Sequence, residues 1–210
     1  MNDITNGQRP SRKEREVAWR KAEIVKAAAQ LFVSKGYEAT SLQEIAEASE
    51  FSVGTLYNFF ENKEDLYFAV LEEEMASFYH RAEAGIAAVE GPRAKLEAFA
   101  AAYFDYVVEK SDTVKRFWQE MGGFAWAVKE RLFERLQKSG YLPLRLLIPI
   151  FEEARMQGIT DDVEPKQQAI VFRTMCFAYF FQWLMSDEKT DLASFDQVVV
   201  ERFLNGFGRR

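Results

Sequence analysis

Apolar positions recur at helical spacing along nearly the whole chain, and no alternating strand pattern of useful length interrupts them. Ile24, Ala27, Ala28, Leu31 and Phe32 mark a first helix from about Val17 to Lys35, ended by Gly36 as a C′ residue. Two short helices follow within TSLQEIAEASEFSVGTLYNFFENK, residues 40–63. Ser41, with Glu44 three positions on, reads as a capping box opening Leu42 to about Ala48. Ser52 reads as the N-cap of a second helix, Val53 to about Phe60. Ile45, Ala46, Phe51, Leu56 and Phe59 form one apolar seam through both, and Ala46 is small enough to let two helices cross closely.

Asn62, with Asp65 three positions later, opens a long fourth helix reaching about Val89, and Gly91-Pro92 punctuates before a fifth at about Arg93–Lys110. Further helices are predicted over about Asp112–Met121, Phe124–Lys138 and Tyr141–Gln157, the last containing Pro149, which should kink it. Pro165 opens a helix to about Met185, and Phe195–Phe207 forms the last. The fold class is all-α.

The outward face of the helix at Val53 (Val53, Gly54, Thr55, Tyr57, Asn58) is small, hydroxylic and amide-bearing rather than ionic. That composition suits a helix that meets base edges, thymine methyls and phosphates in a DNA major groove. The run from Ile24 to about Leu71 also resembles the N-terminal domain of the TetR family of bacterial transcriptional repressors. AAAQLFVSKGYEATSLQEIA and VGTLYNFFENKEDL carry the resemblance, through Phe32, Gly36, Thr40, Ile45-Ala46, Gly54-Thr55-Leu56-Tyr57, Phe60, Lys63 and Leu66. It covers about a quarter of the chain. The family often has Gly in the turn where this chain has Glu50, so a positive φ there would cost roughly 1 kcal/mol. The resemblance implies Thr40, Tyr57 and Lys63 as phosphate contacts, and Gln43, Val53, Gly54, Thr55 and Asn58 as base-edge candidates. It implies an N-terminal three-helix helix-turn-helix domain over residues 16–63 and a helical ligand-binding and dimerisation domain over 64–210. Residues 1–15 read as a disordered basic arm, with Arg9, Arg12, Lys13 and Arg15 free to reach a minor groove or stay solvated.

A net charge of −6 looks wrong for a nucleic-acid binder until it is divided. Residues 1–63 hold nine Lys/Arg and nine Asp/Glu, so the whole acidic excess lies beyond them. Steering depends on where charge sits rather than on its sum. A lone cysteine, Cys176, excludes an intramolecular disulfide and fits a reducing compartment. With no apolar signal segment at the N-terminus and no membrane span, the sequence reads as soluble and cytoplasmic.

Catalysis finds little support. His80 has no second His or Cys near it, and Gly122-Gly123 lacks the Lys-Ser/Thr of a phosphate loop. No metal or cofactor is expected, and an enzyme is the least favoured class. The aromatic load, 19 Phe, 8 Tyr and 4 Trp, falls mostly beyond residue 66. Tyr103, Tyr106, Trp118, Phe124, Trp126, Phe177 and Phe180 are candidates for an apolar ligand pocket, with Arg173 to orient a polar group. The helix at Pro165 is apolar nearly all round and so wants cover on two faces. With a stripe at 195, 198, 199 and 203, it could build a four-helix dimer interface. The leading expectation is therefore a homodimer that binds a palindromic double-stranded operator and leaves it when a small apolar or aromatic effector binds. The alternative is a small-molecule-binding protein with a vestigial helix-turn-helix.

Overall fold

The computed structural model describes residues 11–186 and 192–206, and among these it contains helices and turns but no strand. The chain divides into two compact units between Val70 and Leu71. The first comprises α1 (Arg12–Lys35), α2 (Leu42–Ala48), α3 (Val53–Tyr57) and the opening turns of α4 (Lys63–Ala87). Ile24, Ala28, Phe32, Ile45, Ala46, Leu56 and Phe60 are its buried centre. Tyr67, in the second turn of α4, packs edge-on against Phe32 and Tyr37 with ring centroids 5.1 and 5.0 Å away. That packing explains why the division falls after Val70 and not at residue 63.

α1 starts five residues before its expected position. Ser11 is its N-cap, and Ser11 with Glu14 closes a reciprocal capping box. Arg12, Lys13 and Arg15, expected in the arm, therefore form the first turn of a helix; Arg9 lies outside the described residues. α3 is shorter than expected. It ends at Tyr57, and residues 58–60 continue as turns in which Asn58 N–H donates to Thr55 O and Phe60 N–H to Leu56 O.

The second unit holds the rest of α4, α5 (Pro92–Glu109), α6 (Ser111–Gly123), α7 (Trp126–Ser139), α8 (Leu144–Met156) and α9 (Pro165–Met185). A 3-10 turn (Leu192–Ser194) and α10 (Phe195–Asn205) complete it. Its core draws on α5, α8, α9 and α10, with Phe99, Phe104, Phe151, Phe172 and Phe180 almost wholly buried. Burying each such ring is worth about 1.5–3 kcal/mol. Lys95 pairs with Glu153 at 2.6 Å and Arg93 with Glu201 at 2.5 Å, joining α5 to α8 and α10 across the rim. α6 and α7 are held differently. α6 buries no side chain fully and α7 buries only Leu132.

The interface stripe expected on α10 is largely spent inside the chain. Phe203 packs against Phe151 and Phe172 (centroids 5.2 and 5.4 Å), Phe195 lies 4.9 Å from Tyr179, and Val199 is fully buried. Only Val198 of that set is exposed. α9 does keep an outward apolar row, since Ile170, Val171, Phe181 and Met185 are all exposed. No helix among the described residues is long and apolar enough to cross a membrane.

Candidate functional site

The step from α2 to α3 is built by caps. Ser41 N–H donates to Glu44 Oε2 at 2.9 Å while Ser41 Oγ accepts from Glu44 N–H at 3.2 Å. Glu44 also pairs with Lys35 at the end of α1, so one carboxylate ties two helices. These partners, Lys35 first and then Ser41, hold its pKa at about 2. Between the helices Glu50 takes φ 60°, the left-handed conformation anticipated for this turn. Ser52 Oγ then accepts from Thr55 N–H at 3.1 Å and opens α3.

This scaffold presents Gln43, Gly54, Tyr57 and Asn58 to solvent, with Tyr57 58% exposed. Val53 and Thr55 are half-buried, and the Thr55 hydroxyl lies 2.9 Å from Ser52 Oγ. Gln43 donates to Glu47 across one helical turn at 2.9 Å, a surface contact. These six residues, all expected at bases or phosphates, share the face formed by α2 and α3.

Thr40 and Lys63 do something else. Thr40 is 2% exposed, and its hydroxyl donates to Gly36 O at 2.7 Å, so it is turned into the protein. Lys63 Nζ donates to Tyr37 O (2.8 Å), Thr40 O (3.0 Å) and Glu38 O (3.3 Å), and it lies 4.4 Å from the centre of the Tyr37 ring. Its three N–H bonds are thereby used, and the loop 37–40 is fastened to the start of α4. Both therefore have an internal role in this structure, beside the phosphate contacts expected of them. Backbone carbonyls are acceptors at every position, so no residue pattern could have announced it.

In the second unit four of the expected ligand residues converge. Trp118 lies 5.1 Å from Phe177 and 6.1 Å from Phe180, Phe177 and Phe180 are 5.7 Å apart, and Tyr103 is 6.5 Å from Phe180. Tyr106 joins through Phe78, which contacts both tyrosines. Burial raises the pKa of Tyr103 and, with the hydrogen bond its hydroxyl gives Glu74 at 2.7 Å, that of Tyr106, so both phenols stay neutral. Phe124 caps the end of α6, while Arg173 and Trp126 lie exposed, Trp126 to 78%, and neither ring nor guanidinium is enclosed. Among the described residues no group of three His, Cys, Asp or Glu is placed to hold a metal ion. Burial pushes the Cys176 thiol up to about 12, which makes it a poor nucleophile.

Residues 24–70 match the family model described as "Bacterial regulatory proteins, tetR family". The chain is 24% identical over 188 residues to the fatty acid metabolism regulator protein of Bacillus subtilis (strain 168), covering 88% of this chain and 93% of that one. Its fold is that of FadR from Bacillus subtilis, a transcriptional regulator solved in complex with stearoyl-CoA: TM-score 0.76, 22% identity, 89% of this chain and 99% of that one. FadR from Thermus thermophilus, a repressor solved with lauroyl-CoA, aligns at TM-score 0.69 and 21% identity over 90% and 96% of the two chains.

Proposed function

We propose that this chain, whose residues 24–70 match the model of the tetR family of bacterial regulatory proteins, is a homodimeric cytoplasmic repressor released from a pseudo-palindromic operator by a long-chain acyl thioester. The observation that carries DNA reading is the α2–α3 face that presents Gln43, Gly54, Tyr57 and Asn58 to solvent, with Ser41, Glu44 and Ser52 capping its helices. Gln43 and Asn58 are the amides suited to adenine, Val53, Gly54 and Thr55 meet neighbouring base edges, and Tyr57 donates to a phosphate. A helix-turn-helix dimer reads two half-sites, and the outward apolar row of α9 is the surface that would pair two copies.

The effector reading draws on two supports. Among the relatives that align over most of their length are a fatty acid metabolism regulator protein and two FadR proteins solved with acyl-CoA. The cluster of Tyr103, Trp118, Phe177 and Phe180, with both tyrosine hydroxyls neutral, is a fit surface for a hydrocarbon chain. α4 has its first turns in one unit and the remainder in the other, and the proposal takes this helix as the element through which the effector acts on DNA binding. The effector must then bind the DNA-incompetent state more tightly, because equal affinity for both states moves nothing.

The test is a mobility shift on the DNA beside the chain's own gene, run across a salt series and titrated with acyl-CoAs from four to eighteen carbons. Sequence-specific binding that fades as chain length grows supports the proposal. Binding indifferent to DNA sequence removes the repressor reading; specific binding that no acyl-CoA relieves removes the effector and leaves the repressor.

A further inference from the structure

The first two turns of α1 stand clear of the rest of their unit. Every residue from Ser11 to Trp19 is exposed, and the first buried side chain of the helix is Ile24. The extension is nonetheless well made, closed at its start by the Ser11–Glu14 capping box. Residues 12–21 carry five basic and two acidic side chains, net +3, in a chain whose total is −6. Of the two acids, Glu14 accepts from the cap and Glu16 pairs with Arg20 at 2.5 Å. Arg12 and Lys13 occupy the first helical turn, where the helix dipole disfavours cations and free N–H groups attract anions. That placement does nothing for the helix and suits an anion brought to it.

Helical spacing sets Arg12, Arg15 and Trp19 on one face, at i, i+3 and i+7. Trp19 fixes where that face lies. Its ring meets Phe51 edge-on at 6.1 Å between centroids, yet the residue is 58% exposed. Among the described residues its indole N–H has no hydrogen-bond partner. Phe51 stands immediately before Ser52, the cap of α3, so the row ends beside the turn of α3 that carries Val53 and Gly54.

We propose that this row is a second DNA contact, continuous with the α2–α3 face and resting on the reading of that face as the one that meets bases. Arg12 and Arg15 pair with backbone phosphates flanking the half-site, and Trp19 donates its indole N–H to a phosphate beside them. Charge complementarity selects the occupant. A duplex carries one negative charge per roughly 1.7 Å of axis, and the row sets two guanidiniums and a neutral donor over about 10 Å. Phosphate contacts carry no sequence information, so the row adds affinity and register without base preference.

Equilibrium binding of the full chain to the DNA beside its own gene and to random DNA, across a salt series, tests it. Arg12→Gln and Arg15→Gln should each lower the logarithmic salt slope by about 1 and weaken both DNAs alike. Trp19→Phe, which keeps an aromatic edge on Phe51 and loses the N–H, should weaken both about tenfold with the slope unchanged. Lys13→Gln removes the same charge from another side of the same turn and should leave the slope near that of the parent chain. Circular dichroism should show the same helix content in all four variants. Slopes unchanged in both arginine variants, a loss in Lys13→Gln equal to theirs, or affinity unchanged in Trp19→Phe would each overturn this contact; base reading by α2–α3 would stand, and the row would be left to a protein partner. A chain that binds no DNA removes both readings.

Discussion

Replacing Lys63 by Met separates two accounts of one residue. Its ammonium donates to Tyr37 O, Thr40 O and Glu38 O and covers the Tyr37 ring. The two shorter bonds, discounted because the group is half-exposed, are worth about 1 kcal/mol each. The ring contact adds about 0.5–1 kcal/mol, and the bond at 3.3 Å little. Met keeps the stem, so Lys63→Met should loosen the first unit by about 2–3 kcal/mol. Two units need not unfold together, so a whole-chain melt would blur the effect. Hydrogen exchange of peptides covering Tyr37–Thr40 and α2 reads it locally, where exchange should quicken roughly 30- to 150-fold. Operator binding, measured where the variant is folded, should keep its salt dependence. If Lys63 held a phosphate instead, the logarithmic salt slope would fall by about 1 and exchange would be unchanged. That pair of results would refute the internal role.

Glu50→Gly should stabilise the first unit by about 0.5–1 kcal/mol, slowing hydrogen exchange of peptides covering α2 and α3 roughly two- to fivefold, because φ 60° suits glycine; Glu50→Ala, still strained there, should not. The carboxylate of Glu44 has its pKa lowered from 4.5 to about 2, so what it contributes is present above pH 4.5 and lost as pH falls toward 2; Glu44→Gln should flatten stability across that window in acid titration. Cys176 should resist an aromatic disulfide reagent at pH 8 until the chain unfolds, and rapid labelling of the native protein would contradict its burial. Asn58→Ala should relax base preference at one position per half-site by about 1–3 kcal/mol in a selection experiment, while binding to random DNA holds.

The parts of the fold that the sequence announced were those encoded by neighbours. Ser41–Glu44, Ser52, Pro92 and Pro165 are local signals, and each opens a helix where it was expected to. Ser11–Glu14 is the same signal, but residues 12–16 carry no apolar period to follow it, so the pattern places the helix start later. What could not be read were choices between distant partners. α9 is visibly apolar all round, yet only packing reveals that α10 covers one side with Phe203 and leaves Val171 and Phe181 outside. Trp126 and Trp118 look alike as letters; one stands in solvent and the other rests on Phe177. Thr40 and Lys63 mark the same limit in the candidate site, where the acceptors are main-chain carbonyls.

The unequal anchoring of α6 and α7 bears on how long the protein survives. A stretch of 13 and then 14 helical residues rests on one fully buried leucine, a few rings and the Arg135–Glu72 ion pair at 2.7 Å. Opening it costs far less than dissolving the phenylalanine core, so it samples open forms while the rest stays closed. Proteases find their first cut in such segments, at a rate set by the open population. A ligand bound against Trp118 and Phe177, as proposed above, would favour the closed form and lower that population. Occupancy of the aromatic cluster would then be recorded twice: at once on DNA, and over a longer span in the amount of intact protein left to act.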